Sequence, residues 1–265
     1  MKQLLAVYQT ELIKTKHSFA LWLTVLGAGF MPSFILFVYL SNWKKIAAQA
    51  KGNPWDELFE MAWKGMGFFF TPFLVVLLIC LLFNLDHKAN TWKLLFTLPV
   101  PKGSIYGAKL LTLMTAILVF YGLYIPFLLL SGLVAGLLFP GLGLLSHAPD
   151  VGQLVVVAGR SFIALQAVLA LHFWLSIRLK NMIIPIGLAL ISNIVFVALF
   201  QGQWPYIIYY PYAFNYLSVA PPPFLGDYAP SGASISLAPH EYFSLLMFLI
   251  ITCFSYLDFT RRYRG

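Results

Sequence analysis

A chain of 265 residues that is 60% hydrophobic and only 10% charged, with a mean hydropathy of +0.83, is not a water-soluble domain, where roughly 25% of residues are charged. Its net charge of +8 would point a soluble protein towards nucleic acid. Here the basic residues flank apolar runs, where they act as orientation signals and contacts to anionic lipid, so the composition calls for a bilayer and no nucleic-acid partner.

In chain order, the first eighteen residues form a helix with Leu4, Leu5, Tyr8 and Leu12 on one broad face and Gln9, Lys14 and Lys16 pointing elsewhere. A lysine-rich helix feeding straight into an apolar run suits the headgroup layer. Apolar runs long enough to span as helix, about 17–25 residues, follow at 19–40, 67–84, 107–130, 154–177, 182–200 and 242–259. The first is too long for a cleavable signal and lacks a small-residue cleavage pattern. Runs such as TPFLVVLLICLLF lack the alternation of a barrel strand, and in hydrocarbon every backbone group must be paired internally. The expected fold is therefore an all-α integral membrane domain of six spans over residues 1–265. Cys80 and Cys253 fall within spans and read as small apolar packers.

Six spans place both termini on one side. Assigning that side to the cytosol gives it 12 of the Lys and Arg residues and leaves Lys44, Lys45, Lys51, Lys64 and Arg160 for the other, 5 in all; the positive-inside rule then sets both termini inside. The outer connections are residues 41–66, 131–153 and 201–241, the last two without Lys or Arg. The first half of 201–241 is crowded with Trp204, Tyr206, Tyr209, Tyr210, Tyr212 and Tyr216, rings that favour the membrane–water boundary. The triple proline at 221–223 excludes a helix there.

The chemistry of common catalytic sites is missing. No G-x-x-x-x-G-K-[ST], H-E-x-x-H, C-x-x-C or G-x-S-x-G occurs, and His17, His87, His147, His172 and His240 lack metal-ligand spacing. Ionisable groups within a span are costly and therefore informative. Arg160 and His172 lie twelve residues apart, about 18 Å along a helix, too far to pair. Arg160 is expected to snorkel to the outer interface; His172 either lines a transport path or packs neutral inside the bundle. Gly132 and Gly136 form a small-xxx-small element.

The polar island NLDHKANTWKLLFTLPVPKGSIYGAK, residues 84–109, stands out between the second and third spans. As a helix, residues 86–98 align Asp86, Asn90, Lys93 and Thr97 on one stripe and Ala89, Trp92, Leu95 and Phe96 opposite. Asn84 or Asp86 can cap its start, Pro99 ends it, and Ser104 is placed to cap the third span. The outcome is a short amphipathic bar on the cytosolic face that cannot move without moving two spans.

This stretch closely resembles the corresponding segment of ABC-2-type permeases, the membrane subunits of ABC exporters, and most of all the bacitracin- and lantibiotic-immunity branch. The resemblance rests on Asp86, Thr91, Trp92, Lys93, Leu95, Leu98, Pro99, Lys102 and Lys109, and on the opening ELIKTKHSFALWL with Glu11 and Lys14. It implies that a separate ATPase subunit holds ATP and magnesium, with no cofactor on this chain. It further implies that two permeases, identical or paralogous, form the path in a bacterial plasma membrane. The bar at 86–98 would dock on the ATPase, with Asp86 or His87 giving polar contacts and Trp92 and Leu95 apolar anchoring; the N-terminal helix with Glu11 and Lys14 would be the second contact. The cargo so implied is an amphipathic peptide antibiotic or another hydrophobic compound. Two alternatives stay open: an ion-coupled carrier using His172 without an ATPase, which the lack of acids at mid-membrane weakens, and an intramembrane enzyme or assembly factor.

Overall fold

The computed structural model describes residues 2–16, 18–49, 52–88, 100–228 and 236–262. All regular elements among them are helical: α1 (Lys2–Lys16), α2 (Phe19–Gln49), α3 (Pro54–Gly65), α4 (Thr71–Lys88), α5 (Lys102–Leu138), α6 (Val151–Ala164), α7 (Gln166–Arg178), α8 (Ile183–Gln201), α9 (Phe214–Val219) and α10 (Pro239–Arg262), with short 3₁₀ turns between them. Five helical runs among the described residues are long and apolar enough to cross a membrane, and the count is six if α6 and α7, bent by 41° at their junction, form one span. The molecule is an all-α, multi-pass membrane protein.

The helices run further than the apolar windows alone suggest. The connection expected at 41–66 is mostly helix: α2 continues to Gln49 past a break at Asn42 (φ −127°, ψ 19°), and α3 begins at Pro54. Asn53 caps α3 by accepting the Trp55 N–H, with Pro54 at the first helical position, where its missing N–H costs nothing. α3 joins α4 through a π-helical turn, Met66–Phe70, so Pro54–His87 is one 34-residue helical run. At 1.5 Å per residue that is about 51 Å, well beyond a hydrocarbon core of about 30 Å, and one end must project into water.

Two breaks in these spans are satisfied by specific side chains. A π turn frees backbone carbonyls; Asn215 Nδ2 donates to the Gly67 carbonyl at 3.4 Å, and Thr71 Oγ1 donates to that of Met66 at 2.9 Å. Gly67 is needed because α9 lies directly against it: a Cβ there would meet Val219 Cγ2 at 2.4 Å. At the α6–α7 bend, Ser244 Oγ lies 2.8 and 3.0 Å from the Ile163 and Ala164 carbonyls and accepts the Ala167 N–H at 3.1 Å. One hydroxyl so serves the groups that the kink releases.

α2 packs most extensively on α5, and α10 on α7, with α4 against α7 and α8 and α1 across α5. Gly132 and Gly136 work within the chain: Gly132 receives the Trp55 ring and Gly136 the Leu144 and Leu145 side chains. The Trp55 indole N–H is shared between the Leu144 and His147 carbonyls at 2.9 and 3.0 Å. The aromatic segment after α8 divides. Trp204, Tyr206 and Tyr209 stay exposed, while Ile207, Tyr212 and Tyr216 enter a second core with Val76 and Phe196. Two cap assignments change. α4 runs unbroken through Asn84 and Asp86 to Lys88, and α5 starts at Lys102 with Pro101 as N-cap, so Ser104 lies inside its first turn.

Candidate functional site

The basic end of the bundle is organised by four charged side chains from three helices. Glu11 and Lys14 stand one turn apart on α1, Asp86 lies in the last turn of α4, and Lys109 lies in the second turn of α5. Lys14 Nζ reaches Glu11 Oε1 at 3.0 Å and Asp86 Oδ1 at 2.6 Å. Lys109 Nζ reaches Glu11 Oε1 at 3.0 Å and also contacts Asp86 Oδ2. Each lysine therefore bridges both acids in a closed ring of no net charge. Asp86 and Lys109 are all but sealed, at 1% and 6% side-chain exposure, whereas Lys14 keeps 31%. The Phe83 ring lies 5.8 Å from Lys109 Nζ, a cation–π distance. Burial alone would lower the pKa of Lys14; the Glu11 and Asp86 carboxylates outweigh it and raise it above the usual lysine range.

This cluster positions α1. Tyr8 Oη and Thr115 Oγ1 share a hydrogen bond of 2.7 Å, and Leu4 packs over Gly107. The inward face of α1 thus runs through Leu4, Tyr8 and Glu11, with Leu5 56% exposed. Lys14 points into the cluster, contrary to its expected outward position, because two carboxylates sit beneath it. Asp86, expected as a polar contact on the cytosolic stripe, is turned inward to Lys14 and Lys109, and Glu11 is likewise buried. Both residues anchor helices to one another in the structure. His87 is half-buried, its Nε2–H donating to the Ser176 carbonyl of α7 at 2.9 Å. Asn90, Thr91, Trp92, Lys93, Leu95, Leu98 and Pro99 lie outside the described residues, which show where their segment departs from α4 and rejoins α5.

A second polar network sits at the opposite end. Arg160 Nε donates to Glu241 Oε1 at 2.9 Å, and the same oxygen accepts from Ser218 Oγ at 2.8 Å. Glu241 Oε2 accepts the Ala238 N–H at 2.6 Å, half of a capping box at the start of α10. Arg160 is buried rather than snorkelling, because this acid lies within the bundle to receive it. Beside it, Tyr121, Ser161, Asn215 and the Gly67 carbonyl form a chain of hydrogen bonds from α5 through α6 and α9 to the π turn. Glu241 and Ser218 escaped the sequence reading; the one available signal was an acid opening the last span while an arginine sat unpaired in the fourth. His172 is fully buried, with Nε2 hydrogen-bonded to Tyr212 Oη.

These features belong to a machine of helices: three elements clamped by charge at one end, and a chain segment leaving from the clamp. A family model for ABC-2 family transporter proteins matches residues 7–196, from α1 through most of α8. The chain belongs to the ABC-2 transporter family. No curated protein and no solved structure matches it. All four residues of the charge cluster lie inside the family match, whereas Ser218 and Glu241 lie beyond it. As an ABC-2 family member it is a membrane transport component, a permease subunit of a class that generally works with an ABC ATPase.

Proposed function

We propose that the chain is the permease subunit of an ATP-driven exporter, with its basic end in the cytosol of a bacterium and an ATPase seated there. The observation that carries this reading is the cluster of Glu11, Lys14, Asp86 and Lys109. It ties α1 to the two helix ends from which the 89–99 segment leaves and returns. A load applied to that segment or to α1 is therefore passed to the second and third spans together. In this reading Trp92 and Leu95 supply the apolar anchor on the ATPase, since interface hot spots favour large aromatic side chains. Asp86 holds the root of the segment instead of touching the partner. The cargo is an amphipathic peptide antibiotic or a similar hydrophobic compound, and two permeases, of this chain or a paralogue, pair around the path.

The test is ATP hydrolysis by the complex purified through a tag on this chain. Trp92→Ala is expected to lower hydrolysis about tenfold or more, the loss of an interface hot spot, with membrane insertion unchanged. Wild-type hydrolysis in that variant overturns the coupling assignment. Transport by the chain alone in proteoliposomes, driven by a pH gradient, would replace the exporter with an ion-coupled carrier.

A further inference from the structure

The end of the molecule opposite the charge cluster holds an open cavity of about 570 Å³ between α3, the start of α6, the end of α8 and the Pro221–Pro223 turn. That volume is in the range of small-molecule sites, roughly 300–1,000 Å³. On α3, Asp56, Glu60 and Lys64 follow at four-residue spacing and so stand in one row along the cavity. Trp63, Phe200 and Tyr216 form its aromatic wall, with the Phe200 and Tyr216 rings edge to face at 5.1 Å. Trp63 in the wall is 3% exposed, whereas the row is open to water, with Asp56, Glu60 and Lys64 all exposed.

The charges do not cancel. Lys64 is ion-paired with Glu60, and Asp56 faces no cation among the described residues, which leaves the row with one negative charge in excess. A pocket with aromatic faces and an acidic lip selects for positive charge, because ring faces and carboxylates both attract a cation.

We propose that this cavity binds an amphipathic organic cation, its apolar body against Trp63, Phe200 and Tyr216 and its charge towards Asp56 and Glu60. Calling that ligand the cargo rests on the exporter reading above; the binding itself does not. Lys64 acts against the ligand, holding Glu60 neutralised until a cation competes for it.

The test compares tetraphenylphosphonium with tetraphenylborate, ions of near-identical shape and opposite charge, by equilibrium dialysis against the full chain in a nonionic detergent. Saturable binding of the phosphonium is expected, with much weaker binding of the borate. Asp56→Asn should weaken the phosphonium by about three- to tenfold and Tyr216→Ala by a similar factor, the scale of an exposed charge or one cation–π contact. Lys64→Met should tighten it, an opposite change that misfolding cannot imitate. Equal binding of both ions, or phosphonium binding indifferent to Asp56→Asn and Lys64→Met, overturns the proposal. Neither result touches the Trp92→Ala hydrolysis experiment, so the two readings fail separately.

Discussion

The two ends of the molecule solve the same problem, burying charge among apolar helices, in different ways. At the basic end, two lysines and two carboxylates from α1, α4 and α5 close a ring of ion pairs. Every link runs through a long, flexible side chain, and Lys14 still touches water. At the other end, Glu241 is fully buried and held by an arginine, a serine hydroxyl and a backbone N–H of its own helix cap. The first arrangement clamps three helices through side chains alone, so they can shift together while staying paired. The second fastens a helix terminus and the loop before it to the bundle through a buried guanidinium, a short hydroxyl and a backbone N–H. A joint and a rivet differ in this way, and the contrast can be broken experimentally.

The largest effect is expected at the rivet. Glu241→Ala strands Arg160 without its acid and frees the Ala238 N–H, and breaking such a buried pair costs about 3–5 kcal/mol. A large fall in thermal midpoint in detergent, or loss of the folded protein, is the readout. Replacing both partners together, as Arg160→Met with Glu241→Gln, should recover most of that loss, because no unpaired charge remains. At the joint, Lys109→Met leaves two acids to a single lysine. Its cost should be smaller, about 2–3 kcal/mol, since Lys14 still reaches both carboxylates. A Lys109→Met loss exceeding that of Glu241→Ala would reverse the comparison. Tyr8→Phe removes one hydrogen bond between α1 and α5 and should cost only about 1 kcal/mol.

The smallest effect is that of pH on the Lys14 contacts. The folded pKa of Lys14 is raised by its two carboxylates against the opposing effect of burial. Its contribution is therefore complete below the unfolded lysine value and is lost only as pH rises through the higher folded one. The difference in thermal midpoint between wild type and Lys14→Met should stay level from about pH 6 to about pH 9 and shrink only above about pH 10.4. A difference that vanished near neutrality would mean that another group controls the joint.

Much of this architecture could be read from composition and spacing. The six apolar runs fall on the five long helices and the bent α6–α7 pair, because lipid leaves the backbone few other choices. The extent of the helices could not be read in the same way. α3 is polar enough to look like a loop, yet an Asn53 cap, Pro54 and a buried Trp55 make it the first turns of a span. Glu11, Lys14, Asp86 and Lys109 each stand out in the sequence, but their meeting does not. Lys109 and Glu11 are 98 residues apart in sequence, and helical periodicity says nothing about which faces of distant helices meet. The burial of Arg160 is illegible for the same reason, since its partner lies 81 positions later on another helix.

The central claim is that the charge cluster makes α1, α4 and α5 move as one unit under the pull of the ATPase. Its most direct test is ATP hydrolysis by the purified complex carrying Asp86→Lys, Lys109→Asp, or these two together with Glu11→Lys and Lys14→Glu. Each single reversal should uncouple hydrolysis, by leaving like charges facing in a buried site. The fourfold variant restores opposite charges at all four links of the ring, and it should recover a substantial part of the lost activity. Near wild-type hydrolysis in both single variants, or a fourfold variant no better than either, would contradict the account.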